Sequence, residues 1–264
     1  MLSVSGLCVD YGQVAVLREL KLSAKPGNFI ALLGPNGTGK SSLLKAIAGL
    51  IPARGSVCLR GRDSMTLQHR ADCIAYMPQD IGSTSSLTVL EVILLGRLRT
   101  LGLRVPEQMQ KEAVEGLSNF GLQDLGDRTL DAISGGQRQL VYLAQSFFRS
   151  PEVLLLDEPT AALDLRHQLI VLDRIAAHCR ENGTIAIAAM HDLSLASRCA
   201  DRVICLSAGE IVADGAPVDV LTRSLIKDMY NVEVDVMLGS SGSIHIAPLR
   251  AVETANDLNV NLLQ

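Results

Sequence analysis

The sequence has no tryptophan, and aromatic residues total only 3%. The stacking platforms on which single-strand nucleic-acid binders lay their bases are therefore missing. No basic run forms an arm, and the net charge of −4 with a pI near 5.7 leaves no electrostatic footprint for a nucleic-acid partner. Mean hydropathy is +0.26, yet no apolar run reaches the roughly 18 residues that a membrane-spanning helix needs. The longest apolar stretches, 153–156 and 185–190, are strand-sized and end at polar residues. The first ten residues lack a basic region followed by an apolar core and a small-residue cleavage site, so the chain is expected to stay in the cytoplasm. Six cysteines, at 8, 58, 73, 179, 199 and 205, include no CxxC pair and no neighbouring histidine cluster. That excludes zinc and redox spacings and predicts reduced thiols packed in the core.

What is present reads as a folded α/β protein. Of 264 residues, 48% are hydrophobic and 20% charged, the proportions of an ordinary globular chain with one main core. Short apolar runs predict strands at 2–9, 29–33, 56–59, 74–77, 153–156, 184–189 and 202–206. Helical patterns run over 40–48, closed by Gly49, and over 165–180, closed by Asn182 and Gly183. Alternation of this kind predicts a largely parallel sheet covered by helices, with antiparallel strands at the N-terminal end. Between 82 and 148 the strand signal disappears and helices are expected at 88–95, 107–120 and 136–148, an inserted helical subdomain. After Asp219 a short helix at 221–230 precedes strand-like pieces and a polar end at 253–264 that is expected to fray.

Three segments carry chemistry. Gly34-Pro35-Asn36-Gly37-Thr38-Gly39-Lys40-Ser41 fits G-x-x-x-x-G-K-[ST] between an apolar strand and a helix. Its glycines let successive N–H groups point inward at a helix N-terminus, which makes an anion nest for phosphates. Lys40 would contact the β and γ phosphates of ATP and the Ser41 hydroxyl would ligate Mg²⁺; with Ser42, the whole loop is the candidate nucleotide contact. The strand at 153–156 ends in Asp157-Glu158, where alternation separates two acids and two roles. Asp157 would hold the Mg²⁺ shell, and Glu158 would orient or deprotonate the attacking water. Ser134-Gly135-Gly136-Gln137 precedes a helix and offers a second helix N-terminus with close-approach glycines. Taken alone it would serve equally as a helix cap, and a second cradle makes sense only if another protomer uses it.

The order of these motifs resembles the nucleotide-binding subunits of ABC transporters over nearly the whole chain. The resemblance implies a P-loop NTPase of ABC type: a mostly parallel core at about 1–81 and 149–221 with an antiparallel N-terminal β subdomain, a helical subdomain at about 82–148, and an extension at about 222–264. It implies that Tyr11 stacks on adenine and that Gln79 links the site, at its Mg²⁺ and water, to a membrane subunit. It also implies that Ser134, Gly135, Gly136 and Gln137 are the signature, that Asp164 lies on the loop crossing a homodimer interface, and that His191 contacts the γ phosphate. Departures from the pattern are Ile133 before the signature, Ala161 in the crossing loop and Gln145 where many members have arginine.

Within that family, 88–97, 163–168 and the stretch from His191 to Leu221 resemble importers of ferric siderophores, haem and cobalamin. The implied partners are a polytopic permease and, through it, an extracytoplasmic binding protein, with the chain peripheral on the cytoplasmic face of the membrane. The alternatives are a soluble ABC ATPase of iron–sulfur assembly and an importer of another metal or polar solute. A small-molecule kinase with a phosphate loop would lack the signature and the histidine.

Overall fold

Runs of Val, Leu, Ile and Ala without a charge cannot lie half in water, and they form the centre of this molecule. The computed structural model describes residues 1–61, 66–80, 85–98, 104–239 and 242–252. In chain order the elements are β1 (Leu2–Tyr11), β2 (Val14–Ala24), β3 (Phe29–Leu33), α1 (Lys40–Ala48), β4 (Arg54–Leu59), α2 (Leu67–Cys73) and β5 (Ile74–Met77). Then come α3 (Val89–Leu95), α4 (Glu107–Ser118), α5 (Gly135–Phe148), β6 (Val153–Asp157), α6 (Leu165–Asn182) and β7 (Ile185–Ala189). The chain continues with α7 (Leu193–Cys199), β8 (Arg202–Ser207), β9 (Glu210–Gly215), α8 (Pro217–Val220), α9 (Arg223–Tyr230), β10 (Val232–Leu238) and β11 (Ile244–Ala251).

Six strands pair in the order β5-β6-β7-β3-β8-β9, parallel except for β9. Every residue of β3, β6 and β7 is buried, as parallel strands covered on both faces require. Alternation along β3 sends Ile30 and Leu32 into a core with Leu43, Leu44 and Ile47 of α1 and the apolar face of β1 and β2. Phe29, Ala31 and Leu33 enter a second core with α3, α5 and α6 on the opposite face. Because β5, β3, β6 and β7 run the same way, the segments after them emerge side by side at one edge of the sheet, the usual place for a ligand in an open α/β sheet.

The expected antiparallel strands are the sheet β2-β1-β4. β2 alternates cleanly only over 20–24; between Leu17 and Leu20 its register with β1 shifts and breaks the period. Sequence periodicity also passes over α2 and α7, which at 7 residues each are too short for a readable helical period, and over β9, an edge strand with no fully buried position and hence no apolar run. The expected helix at 221–230 starts later, at Arg223, because Thr222 is its cap and accepts from the Leu225 amide at 3.2 Å. The strand-like pieces after it form the antiparallel β10–β11 hairpin. The polar end at 253–264 lies outside the described residues, as do 81–84, where the helical insertion was expected to start. All six cysteines are free; Cys179 and Cys205 are buried and the other four half-buried, with Cys199 and Cys73 packed against the core, so the expectation of core thiols falls short for Cys8 and Cys58. Burial pushes the Cys179 and Cys205 thiols up to about 12, which makes them inert. No helix among the described residues is long and apolar enough to cross a membrane.

Inside the helical insertion the role of Gln145 becomes plain. Its amide donates to the Val92 carbonyl at 2.6 Å, joining α5 to α3, and its own carbonyl stands 2.8 Å from where a Cβ on Gly96 would be. Gln145→Leu is therefore expected to leave the Val92 carbonyl without this donor at a cost of about 1–2 kcal/mol, lowering Tm by about 2–8 °C in a thermal melt without changing ATP affinity.

Candidate functional site

The turn between β3 and α1 is built by close approach. A Cβ on Gly34 would stand 2.2 Å from the Leu206 carbonyl of β8, and one on Gly39 would stand 2.6 Å from the Leu17 side chain, so only glycine fits. Thr38 donates to the Pro35 carbonyl at 2.9 Å. Lys40, 6% exposed, folds back over the loop and donates to the carbonyls of Gly34 at 2.6 Å and Pro35 at 3.0 Å. Burial lowers its pKa below the ordinary value, and the nearby charges of Glu158 and Asp157 oppose that shift.

The end of β6 supplies the acids. Asp157 is buried, and both of its oxygens are held: Ser41 donates to one at 3.0 Å and the Tyr76 hydroxyl to the other at 3.2 Å. Burial and the neighbouring carboxylate push the Tyr76 phenol far up, so it stays a donor. Glu158 departs from the strand with φ 54°, a left-handed conformation that costs a non-glycine residue about 1–2 kcal/mol. Its amide is anchored on the Ala189 carbonyl at 3.1 Å, and its carboxylate meets the His191 ring at Nε2. His191 follows β7 and is 45% exposed at its side chain, so it faces the cleft rather than the core.

These segments line one cleft of about 530 Å³, containing Tyr11, Asn36, Gly37, Gly39, Lys40, Ser41, Ser42, Gln79, Glu158 and His191. Tyr11 is 51% exposed at its mouth, with its hydroxyl 3.5 Å from the Ser42 hydroxyl. Ser134, Gly135, Gly136, Gln137 and Asp164 are not in it. Ser134 caps α5 in a reciprocal pair, accepting from the Gln137 amide at 3.2 Å while the Gln137 side-chain oxygen accepts from the Ser134 amide at 3.0 Å. Asp164 caps α6, and its hydrogen bonds from the His167 amide and ring hold its carboxyl below the usual range.

Gln139 is a residue that the motifs did not single out. It is 4% exposed, donates to the Glu158 carbonyl at 2.8 Å and accepts from the Ala162 amide at 3.0 Å. It thus ties the helix that begins at Ser134 to the loop that carries Glu158. Gly136 lies in the same joint, where a Cβ would be 3.0 Å from the Ala162 carbonyl. Gln139 shares the buried face of α5 with Leu143 and Ser146, and a buried amide needs partners.

A family model described as ABC transporter matches residues 17–161. The chain belongs to the ABC transporter family. It is 36% identical to a hemin import ATP-binding protein of Rhodopseudomonas palustris (strain BisA53), covering 93% of this chain and 94% of that one. It is 34% identical to the ferric enterobactin transport ATP-binding protein of Escherichia coli (strain K12), covering 95% of each. Among solved structures it superposes on an inward-facing metal-chelate type ABC transporter with a TM-score of 0.80 and 25% identity over 94% of this chain and 97% of that one. A dimeric ATP-binding cassette with bound ADP and Pi gives 0.74 at 26% identity, over 82% and 99%. As an ABC ATPase the chain binds and hydrolyses ATP, and the mostly parallel P-loop fold is that of the family.

The oxygen-only set of the Ser41 hydroxyl and Asp157 carboxylate fits a hard divalent cation, which takes few protein ligands when phosphates supply the rest. The joint at Gln139 yields an expected outcome. Gln139→Leu should keep nucleotide affinity within about 3-fold, because Lys40 and the loop are untouched. It should lower turnover by up to about 10²-fold, the scale for a misplaced reacting group, as read by fluorescent-nucleotide titration beside phosphate release.

Proposed function

We propose that two copies of this chain, peripheral on the cytoplasmic face of a membrane, hydrolyse ATP to drive import of a ferric siderophore, haem or related chelate through a separate polytopic permease, fed by an extracytoplasmic binding protein. The observation that carries the cargo class is identity of 34–36% over at least 93% of both chains with proteins of hemin and enterobactin import. In this reading the binding protein and the permease, not this chain, recognise the cargo.

In this reading the loop amides and Lys40 hold the β and γ phosphates, and Tyr11 stacks on adenine at the cleft mouth. Ser41 and Asp157 hold Mg²⁺, with Gln79 reaching it, and the ion neutralises phosphate charge when bound. Glu158 takes the proton of the attacking water, and His191 orients Glu158 and contacts the γ phosphate. The contact of His191 with Glu158 in the cleft supports the pairing, and the solvent-facing position of Ser134 and Gly135 supports a signature that serves a partner's nucleotide.

Glu158→Gln keeps size and hydrogen bonding but removes the base, so turnover should fall by about 10² or more while ATP stays bound. In vesicles holding the native permease and binding protein, uptake of radiolabelled iron chelate should stop in that variant and proceed in the wild type. Wild-type uptake by Glu158→Gln would remove the base assignment, and no uptake of ferric siderophore, haem or cobalamin by the wild type would remove the cargo class.

The shared site has its own test. Lys40→Ala protein and Ser134→Arg protein should each be inactive, whereas a heterodimer of the two has one intact composite site and should recover part of the wild-type ATPase. Verified heterodimers that stay at the level of their parents would contradict the shared site.

A further inference from the structure

The region after β9 takes no part in the roles above, yet it reaches the nucleotide cleft from behind. α9 and the β10–β11 hairpin are tied into one body. Arg223 pairs with Asp235 at 2.8 Å, and Glu233 takes Lys227 at 3.2 Å and Arg250 at 2.8 Å. The Val252 amide also donates to the Asn231 carbonyl at 2.7 Å. Two hydrogen bonds fix this body to α7: the Ile244 amide donates to Ser197 Oγ at 2.9 Å, and the Ile246 amide to Ser194 Oγ at 3.0 Å. Residues three apart share one face of a helix, so both hydroxyls meet the same strand.

α7 has 7 residues, and its cap, Asp192, is the residue after His191. A helix this short moves as a unit, and a shift of α7 carries His191 with it. On the other side of the body, the Tyr230 hydroxyl is buried beside Cys205 and the backbone of Gly34. One small body therefore touches both the entry to the phosphate loop and the His191 segment. Between them lies a mostly apolar cavity of about 320 Å³ lined by His191, Leu193, Tyr230, Val234, Ile246 and Pro248. Leu195 and Ala196 of α7 share a buried core with Val234 and Ile244, so apolar contact joins the two elements, while beside His191 itself the cavity replaces packing and the two serine bonds fix the register of α7 on β11.

We infer that Ser194 and Ser197 are positioning residues through which the C-terminal hairpin holds His191 against Glu158, an inference that rests on the proposed role of His191. The test is ATPase of the full chain in its permease complex, under multiple and single turnover. The forms compared are wild type, the pair Ser194→Ala with Ser197→Ala, and the pair Ser194→Thr with Ser197→Thr, each with and without His191→Ala. The alanine pair should lower kcat about 10-fold with KM for ATP changed less than about 2-fold, and the threonine pair, which keeps the acceptors, should recover most of it. In the His191→Ala background the alanine pair should change nothing further, because two changes acting through one group are not additive. Wild-type kcat in the alanine pair, or the same proportional loss without His191, would overturn the inference. If His191→Ala alone turned over like wild type, the reading of His191 would fall and the inference with it, a result distinguishable from intact serine variants beside a dead histidine variant. Should the pair fold poorly, each single alanine removes one bond and should give a smaller loss of kcat with the same dependence on His191.

Discussion

A hydroxyl in the first turn of α1 and a carboxylate at the end of β6 share a hydrogen bond of 3.0 Å, Ser41 to Asp157, across 116 residues of sequence. The rest of the cleft depends on it. It can form only because β3 and β6 run parallel with β7 between them, so that the loop after one strand and the acid ending another emerge at the same level. A one-residue slip of β6 would exchange its two faces and turn Asp157 away from Ser41. Because β6 is apolar at every position before Asp157 and packed on both sides, the polar end has no other register in which it avoids burying a charge unpaired.

The same economy explains why Glu158 tolerates a left-handed backbone. Extended geometry would continue β6 and keep the carboxylate in line with the sheet. The turn instead directs it to His191. The local strain is offset by three anchors around the turn: the Glu158 amide on Ala189, the Glu158 carbonyl on Gln139 and the Ala162 amide on the same glutamine. Two of the three come from α5, whose first turn carries the proposed signature. A chain that gives its signature to one nucleotide and its Glu158 to another, as proposed, would have the two joined by a single buried side chain.

How much of this could be read in advance follows from what each signal depends on. The phosphate loop, the acids after β6 and the histidine after β7 were legible because strands of uniformly apolar residues announce their ends, and chemistry sits at those ends. Strand order was not legible, since nothing local in 29–33 or 185–189 says that β3 inserts between β7 and β8. Gln139 escaped, and the partner of Gln145 was not readable, because a glutamine within a helix looks solvated until the opposite surface is known; both meet carbonyls from distant segments, Glu158 and Val92. β2 escaped because its irregular register with β1 breaks the period of 2 on which strand reading rests. Burial of the cysteines was overstated because a thiol at a strand edge and one in its centre have the same apolar neighbours in sequence.

Lys40 gives the electrostatic logic of the site its direction. An ammonium that is nearly buried loses hydration, and burial accordingly lowers its pKa. Its replacements for water are two carbonyls of its own loop and, at longer range, the charges of Glu158 and Asp157. A folded-state pKa below the unfolded one means that keeping Lys40 charged opposes folding, most fully at pH below the folded value, and the opposition fades as pH rises through that value toward the unfolded one. A phosphate entering the loop acts in the opposite direction: it brings negative charge to the ammonium, raises its pKa and favours the folded loop by mass action. It also adds repulsion toward Glu158 and Asp157, which the proposed divalent cation on Ser41 and Asp157 would relieve. Lys40 is thus short of negative charge as the protein alone arranges it, and the phosphate that supplies that charge burdens the two acids unless the cation accompanies it, so nucleotide and cation are expected to bind as a unit.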